Sequence, residues 1–194
     1  MIPFKSYSQA GQDRFVFELL GSTGTFLDVG CNHPTVINNT YALEQQGWHG
    51  LLLDNEPTLR PLIEPQRTSP FHCADTGKIQ DWFALLAQYG LASPIDYLSM
   101  DVDGGLPTTM RSFPFDTLRF RVLTIEHNRY LWGDDPRNEY RDIVMHRGYE
   151  LLCADVRNEN CPFEDWWVDP TKVDMTLAEK FRSSDQEWSS FVHV

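Results

Sequence analysis

Basic side chains are scarce in this chain, with 16 lysines and arginines against 28 aspartates and glutamates in 194 residues, a formal charge of -12. That balance repels a polyphosphate backbone unless one face gathers a strong basic patch. The sequence shows no such patch, so nucleic acid is not an expected partner. Long apolar runs are missing too: the longest, such as Phe15 to Leu20 and Gly50 to Leu53, fall far below the roughly 20 residues that span a bilayer. Met1 to Ser8 does not read as a signal peptide. The expectation is a soluble, cytoplasmic protein with no membrane partner. Cysteine is limited to Cys31, Cys73, Cys153 and Cys161, with no CxxC or other metal spacing and no paired layout of a secreted framework. They read as reduced core thiols, Cys31 and Cys73 at strand ends.

What is present is material for one core. With 41% hydrophobic and 13% aromatic residues, the chain suits one sizeable domain and is too short for two ordinary ones. The expected organisation is a single domain over residues 1–194, with a leading helix at about 8–20, a core at about 24–170 and a closing helix at about 177–191.

Short apolar runs bounded by turn residues recur at Thr25 to Val29, Gly50 to Asp54, Pro70 to Cys73, Ile95 to Met100 and Arg121 to Ile125. Such runs are strands buried on both faces of a parallel sheet. Helical patterns fall between them, at Asn39 to Gln46, Pro57 to Ile63, Ile79 to Tyr89 and Pro107 to Arg111. The alternation predicts an open α/β sheet with helices on both faces. Beyond Ile125 a helix from Pro136 to His146 precedes two strands, Tyr149 to Ala154 and Asp165 to Val168, with no room for a crossover helix between them. They must form an antiparallel pair at a sheet edge, giving seven strands.

In such sheets ligands sit beyond the carboxyl ends of the strands, where strand order reverses. After the first strand stands Asp28-Val29-Gly30-Cys31-Asn32-His33-Pro34; Gly30 lets the backbone approach a ligand closely, and a following helix N-terminus would supply amide donors. Asp54, followed by Asn55, ends the second strand about 20 residues beyond that turn, where an acid grips a ribose diol. Asp75, after the third strand, is either an adenine contact or an ordinary turn acid. The fourth strand runs into Asp101-Val102-Asp103-Gly104-Gly105 and the fifth into Glu126-His127-Asn128. These acids crowd together at a cost unless a cation or shared proton compensates. Three readings stay open: Asp101, Asp103, Glu126 or His127 serves as general base; Asp101, Asp103 and Glu126 hold a divalent metal such as magnesium; or all are capping and solvated loop acids.

At these residues the chain resembles the FkbM family of methyltransferases. The matching pieces are Ser8 to Asp13, Phe26 to Asn32 with Asn39-Thr40, Leu43-Glu44 with Gly47 to Gly50, Ile95 to Gly104, Ile125 to Asn128 and Arg147 to Tyr149. The resemblance implies a Rossmann-like class I methyltransferase fold, S-adenosylmethionine as cofactor and O-methylation of a sugar or natural-product hydroxyl. Carried over residue by residue, it places Asp28, Gly30 and Asn32 in the cofactor turn, Asp54 on the ribose and Asp101 at the end of the fourth strand. Departures stand at His33-Pro34, where a small residue and Gly are common, at Gly105, where an acid follows in many members, and at Asp103, a frequent Glu. A phosphate-free sulfonium cofactor also suits a lysine-poor cleft better than NAD does. The partner implied is a small-molecule hydroxyl acceptor, with a homodimer left open. The alternatives are a catalytically silent binding module and an NAD-dependent oxidoreductase. Among the remaining residues, Trp48 reads as packing. Arg129 and Arg137 read as solvated rather than anion-recognising. Trp132, Trp166 and Trp167 are candidates to stack on a ring, with at most one of the last two able to do so. Gln12 and Asp13 either close over the cofactor or lie at the surface.

Overall fold

The computed structural model describes residues 3–193. Its short apolar runs become the strands β1 (Thr25–Val29), β2 (His49–Asp54), β3 (Phe71–Cys73), β4 (Ile95–Met100) and β5 (Phe120–Glu126). Two longer strands, β6 (Glu150–Asn158) and β7 (Cys161–Val168), form a hairpin, and a two-residue β8 (Ser183–Ser184) closes the edge. The sheet runs β3-β2-β1-β4-β5-β7-β6-β8. β1 to β5 are parallel, β7 is antiparallel to β5 and β6, and β8 is parallel to β6. The chain winds outward from β1 to β3 and then returns to lay β4 on the other side of β1. The order therefore reverses between β1 and β4, which opens a crevice at their carboxyl ends.

Helices cover both faces because successive strand residues point to opposite sides. On one face α1 (Gln12–Leu20), α2 (Tyr41–Gln46) and α8 (Met175–Ala178) pack Phe15, Val16, Leu43 and Ala178 against Phe26, Leu52, Tyr97 and Trp166. On the other, α4 (Trp82–Gln88), α5 (Leu106–Ser112) and α7 (Asp134–Met145) pack Leu86, Met110 and Val144 against Leu27, Leu51, Leu98 and Trp167. Each such apolar side chain, fully buried, contributes about 1.5–3 kcal/mol. Two four-residue helices, α3 (Arg60–Ile63) and α6 (Arg129–Trp132), lie in connections. Trp166 and Trp167 face opposite sides and are both buried in core, so neither stacks on a ligand. Trp48 is buried as well, its Nε1 donating to the Gly21 carbonyl at 3.1 Å.

The hairpin strands run longer than the expected Tyr149 to Ala154 and Asp165 to Val168, and three larger departures from the sequence expectation stand beside that. The sheet has eight strands rather than seven, because β8 adds to β6. β8 also replaces the middle of the closing helix expected at 177–191: the helical turn stops at Phe181, and Asp185 takes φ 55°, which a continuing helix cannot tolerate. The backbone is satisfied by strand pairing, with Asp185 N–H donating to Ala154 and Arg157 N–H to Gln186. The leading helix begins at Gln12 instead of residue 8. Asp13 accounts for this, because its carboxylate accepts from Ser6 Oγ, Tyr7 N–H and both donors of Ser8, pinning the preceding segment in a non-helical path. All four cysteines are free, and among the described residues no helix is long and apolar enough to cross a membrane.

Candidate functional site

A cleft of about 880 Å³ opens over the carboxyl ends of β1 to β4. It is lined by Asp28, Gly30, Asn32, Asp54, Asn55, Asp75, Asp101, Asp103 and Glu126, and no lysine or arginine is among its described lining residues. Gly30 has φ 83°, and a Cβ there would stand 1.6 Å from the Asp101 carbonyl oxygen, so only glycine lets β1 turn this close to the end of β4. Asn32 follows in the left-handed region at φ 47°, a conformation asparagine tolerates, and donates its N–H to Asp54 Oδ2 at 3.0 Å. Asp54 Oδ1 accepts the Glu56 N–H at 3.0 Å. Two backbone amides thus fix this carboxylate before any ligand arrives. Asp28 lies deeper, accepting from Thr40 Oγ1 at 2.6 Å; burial raises its pKa to about 6, against the pull of Thr40 and Arg67. Asp75 is an exposed turn acid at the cleft mouth. It accepts from Gly77 N–H at 3.1 Å and pairs with Lys78 at 2.8 Å, and the Lys78 bond lowers its pKa.

No helix N-terminus follows the Gly30 turn directly, contrary to the sequence reading, because α2 starts only at Tyr41. The intervening loop is self-supported. Asn38 Nδ2 donates to the Cys31 and His33 carbonyls, and His33 Nδ1 accepts from Thr35 and Val36 N–H.

Asp101, Asp103 and Glu126 each offer an oxygen within 4.8 Å of the others. Burial pushes the Glu126 carboxyl far up, and the neighbouring Asp101 adds to it; Asp101 is itself raised by burial. Both shifts oppose two full negative charges side by side, and no lysine or arginine among the described lining residues offsets them. A fourth acid, Glu164, pairs with Glu126 across β5 and β7. Burial raises it to about 8, although Gln12 Nε2 at 3.0 Å and Trp166 Nε1 both donate to it. Sequence reading missed Glu164, since only the antiparallel register places it here. Gln12 is therefore buried behind the cleft, and Asp13 is buried too. Neither lies at the surface, and neither is among the cleft's lining residues.

His127 is not among the cleft's described lining residues; it lines a smaller cavity beside it. It is 2% exposed, its Nδ1 accepts from Arg129 N–H at 3.1 Å, and its Nε2 stands 3.4 Å from Asp165 and 3.7 Å from Asp155. Once Nδ1 accepts, Nε2 carries the hydrogen, so the ring keeps no lone pair for a hydroxyl. That removes it as a base. Its surroundings are an ion network in which Arg137 binds Asp155 at 2.9 Å and Arg141 binds Asp155 at 3.0 Å and Asp165 at 2.7 Å. Burial would raise Asp165, but the neighbouring Arg141 and His127 override it and hold the carboxyl down at about 2. Arg129 joins through Asp134 and Asp155. Arg129 and Arg137 are thus paired within the protein rather than solvated. Of the tryptophans, only Trp132 is left exposed among the ring-stacking candidates, at 61%.

The strand order and the cleft at the switch point define a Rossmann-like class I methyltransferase fold. Among solved structures the chain is similar to the TehB-like SAM-dependent methyltransferase from Corynebacterium glutamicum ATCC 13032, at 16% identity over 81% of this chain and 86% of that one, with a TM-score of 0.55. It is similar also to an rRNA methylase from Streptococcus thermophilus, at 13% identity over 80% and 92%, with a TM-score of 0.52. At these identities the likeness establishes the fold. No protein-family model and no curated protein sequence matches the chain, so the FkbM resemblance rests on the motifs quoted above.

Proposed function

We propose that the protein is an S-adenosylmethionine-dependent methyltransferase of FkbM type that methylates a hydroxyl oxygen on a sugar or natural-product-like small molecule. The observation that carries the reading is an acidic cleft at the switch point with no lysine or arginine among its described lining residues. A dinucleotide brings a pyrophosphate that such a wall repels, whereas a sulfonium cation gains from it. The residues fit the cofactor too: Gly30 lets the turn after β1 pack against the Asp101 backbone, where a Cβ would collide, and Asp54 presents a carboxylate already ordered by two amides, suited to a ribose diol. Asn55 and Asp75 flank it. When bound, S-adenosylmethionine would supply a methyl group open to in-line attack by an acceptor oxygen, with S-adenosylhomocysteine as the leaving group.

The chain's part is to align the two partners and take a proton. Alignment supplies most of the rate, and base catalysis contributes about 10²–10⁴-fold. Asp101 is the group we assign to the hydroxyl proton. In this reading Asp101 and Glu126, both pushed toward the protonated form by burial, share one proton, and Asp103 stands beside them. The same three carboxylates form a hard-oxygen donor set that suits magnesium. Metal binding there requires loss of the shared proton, so calorimetry with magnesium in two buffers of different ionisation enthalpy separates the two arrangements. The acidic wall also favours a small-molecule acceptor over nucleic acid.

The test is isothermal titration with S-adenosylmethionine and S-adenosylhomocysteine, on wild-type protein and on Asp54→Ala. Saturable binding that weakens at least a hundredfold in the variant is expected. A folded wild-type protein that binds neither compound is a catalytically silent module, and the proposal fails.

A further inference from the structure

Beside the main cleft lies a second cavity of about 200 Å³. Asp103 and Gly104 line both, so the two are continuous. Its walls differ in character from the cleft: Leu106, Pro107, Trp132, Pro136 and Tyr140 supply most of the surface. Its polar lining residues are Asp103, His127, Asn128 and the hydroxyl-bearing Tyr140. His127 Nδ1 accepts from the Arg129 amide, and its Nε2 lies 3.4 Å from Asp165 and 3.7 Å from Asp155 without a hydrogen-bond partner among the described residues. Trp132 is 61% exposed at the rim, and its neighbours Tyr130 and Leu131 on α6 are 50% and 60% exposed, so three large apolar side chains stand beside the acids with little to cover them. The helix that carries them is bracketed by residues of positive φ, Asn128 at 47° and Gly133 at 79°.

We propose that this cavity is the acceptor subsite, and that the acceptor is an uncharged, ring-shaped molecule with a mostly apolar face and a hydroxyl at one edge, of the phenol class rather than a sugar. The inference rests on the methyltransferase reading above and narrows its substrate. Size supports a single ring, since an apolar cavity of about 150 Å³ holds benzene. Polarity favours a phenol over a sugar, because each hydroxyl buried without a partner costs about 1–3 kcal/mol and the Leu106, Pro107, Trp132 and Pro136 side of the cavity offers a sugar's several hydroxyls no acceptor. Charge disfavours an anion, because Asp103 lines both the cavity and the cleft and its carboxylate lies within 4.8 Å of those of Asp101 and Glu126. A ring packed between Trp132 and Pro136 with its hydroxyl at the shared boundary points that oxygen toward Asp103 and Asp101.

The experiment is saturation-transfer NMR with phenol, methyl glucoside and benzoate as probes, on protein saturated with S-adenosylhomocysteine, whose binding is measured separately by calorimetry. Phenol is expected to show saturation transfer, the other two much less. Trp132→Ala, a change at an exposed side chain, is expected to weaken phenol at least fivefold and leave the S-adenosylhomocysteine affinity within twofold. Glucoside or benzoate binding as well as phenol, equal phenol binding by the variant, or no probe binding by protein that does bind S-adenosylhomocysteine overturns the acceptor assignment alone. Failure of the wild-type protein to bind S-adenosylhomocysteine overturns the underlying function, and the acceptor assignment falls with it.

Discussion

Glu126 and His127 are neighbours in the chain, yet they belong to two acid clusters that have solved the same electrostatic problem in opposite ways. On the His127 side, Asp155 and Asp165 are buried among Arg137 and Arg141, and every charge has a partner. On the Glu126 side, Asp101, Asp103 and Glu126 crowd together with no lysine or arginine among the described lining residues of the cleft. The first cluster ties α7 to the β6 and β7 hairpin. The second is left under-compensated, and a folded protein keeps such a patch only where something else supplies the positive charge or the proton. Compensation, rather than the presence of acids, separates scaffold from site.

The largest effect should come from breaking the paired cluster. Arg141→Ala leaves Asp155 and Asp165 short of a buried partner, and the loss of one member of such a pair costs about 3–5 kcal/mol, read by urea unfolding; a loss under about 1 kcal/mol would deny the network its structural role. Next comes acid. Asp165 is held at about 2 in the folded state against 3.8, so its contribution is complete above about pH 4 and is lost as pH falls toward 2. By linkage this amounts to about 2 kcal/mol, and unfolding measured from pH 5 to 2 should show that loss missing in Asp165→Asn, on top of that variant's lower baseline.

Glu164 sharpens the contrast with the opposite sign. Its pKa is raised from 4.5 to about 8, so the folded state holds its proton longer than the unfolded chain does, and stability falls as pH rises between those values. The slope for one proton is about 1.4 kcal/mol per pH unit. Glu164→Gln should flatten the pH profile across that window, and an unchanged slope would show that Glu164 is ionised in the folded protein. The smallest stability effect belongs to exposed Asp103: Asp103→Asn should leave unfolding within about 0.5 kcal/mol while weakening S-adenosylmethionine a few-fold through loss of one nearby negative charge. Equal cofactor affinity in this variant would remove Asp103 from the cleft's electrostatics.

Much of the fold was legible because both faces of a parallel sheet are buried. The apolar runs at Thr25–Val29 and Ile95–Met100 are the strands β1 and β4 residue for residue. The acids at their ends sit where the switch-point rule puts them, and Gly30 stands where the backbones meet. What failed depended on long-range pairing. The stretch from Leu177 to Phe191 has apolar residues at near-helical spacing, but β6 offers it unpaired edge groups, and Ser183-Ser184 takes them as a strand. His127 was placed with Glu126 by adjacency. Its ring orientation is set by Arg129 above it and by Asp155 and Asp165 on strands about 30 to 40 residues later, a distance over which sequence carries no register. Glu164 was invisible for the same reason.

A cleft with no lysine or arginine among its described lining residues is suited to a cationic, phosphate-free cofactor. The direct measurement is a pair of titrations of the wild-type protein, one with S-adenosylmethionine and one with NAD, under identical salt and pH. The account predicts saturable binding of S-adenosylmethionine at micromolar concentration and no measurable binding of NAD. NAD binding as tight as or tighter than S-adenosylmethionine would contradict it and return the fold to the oxidoreductases.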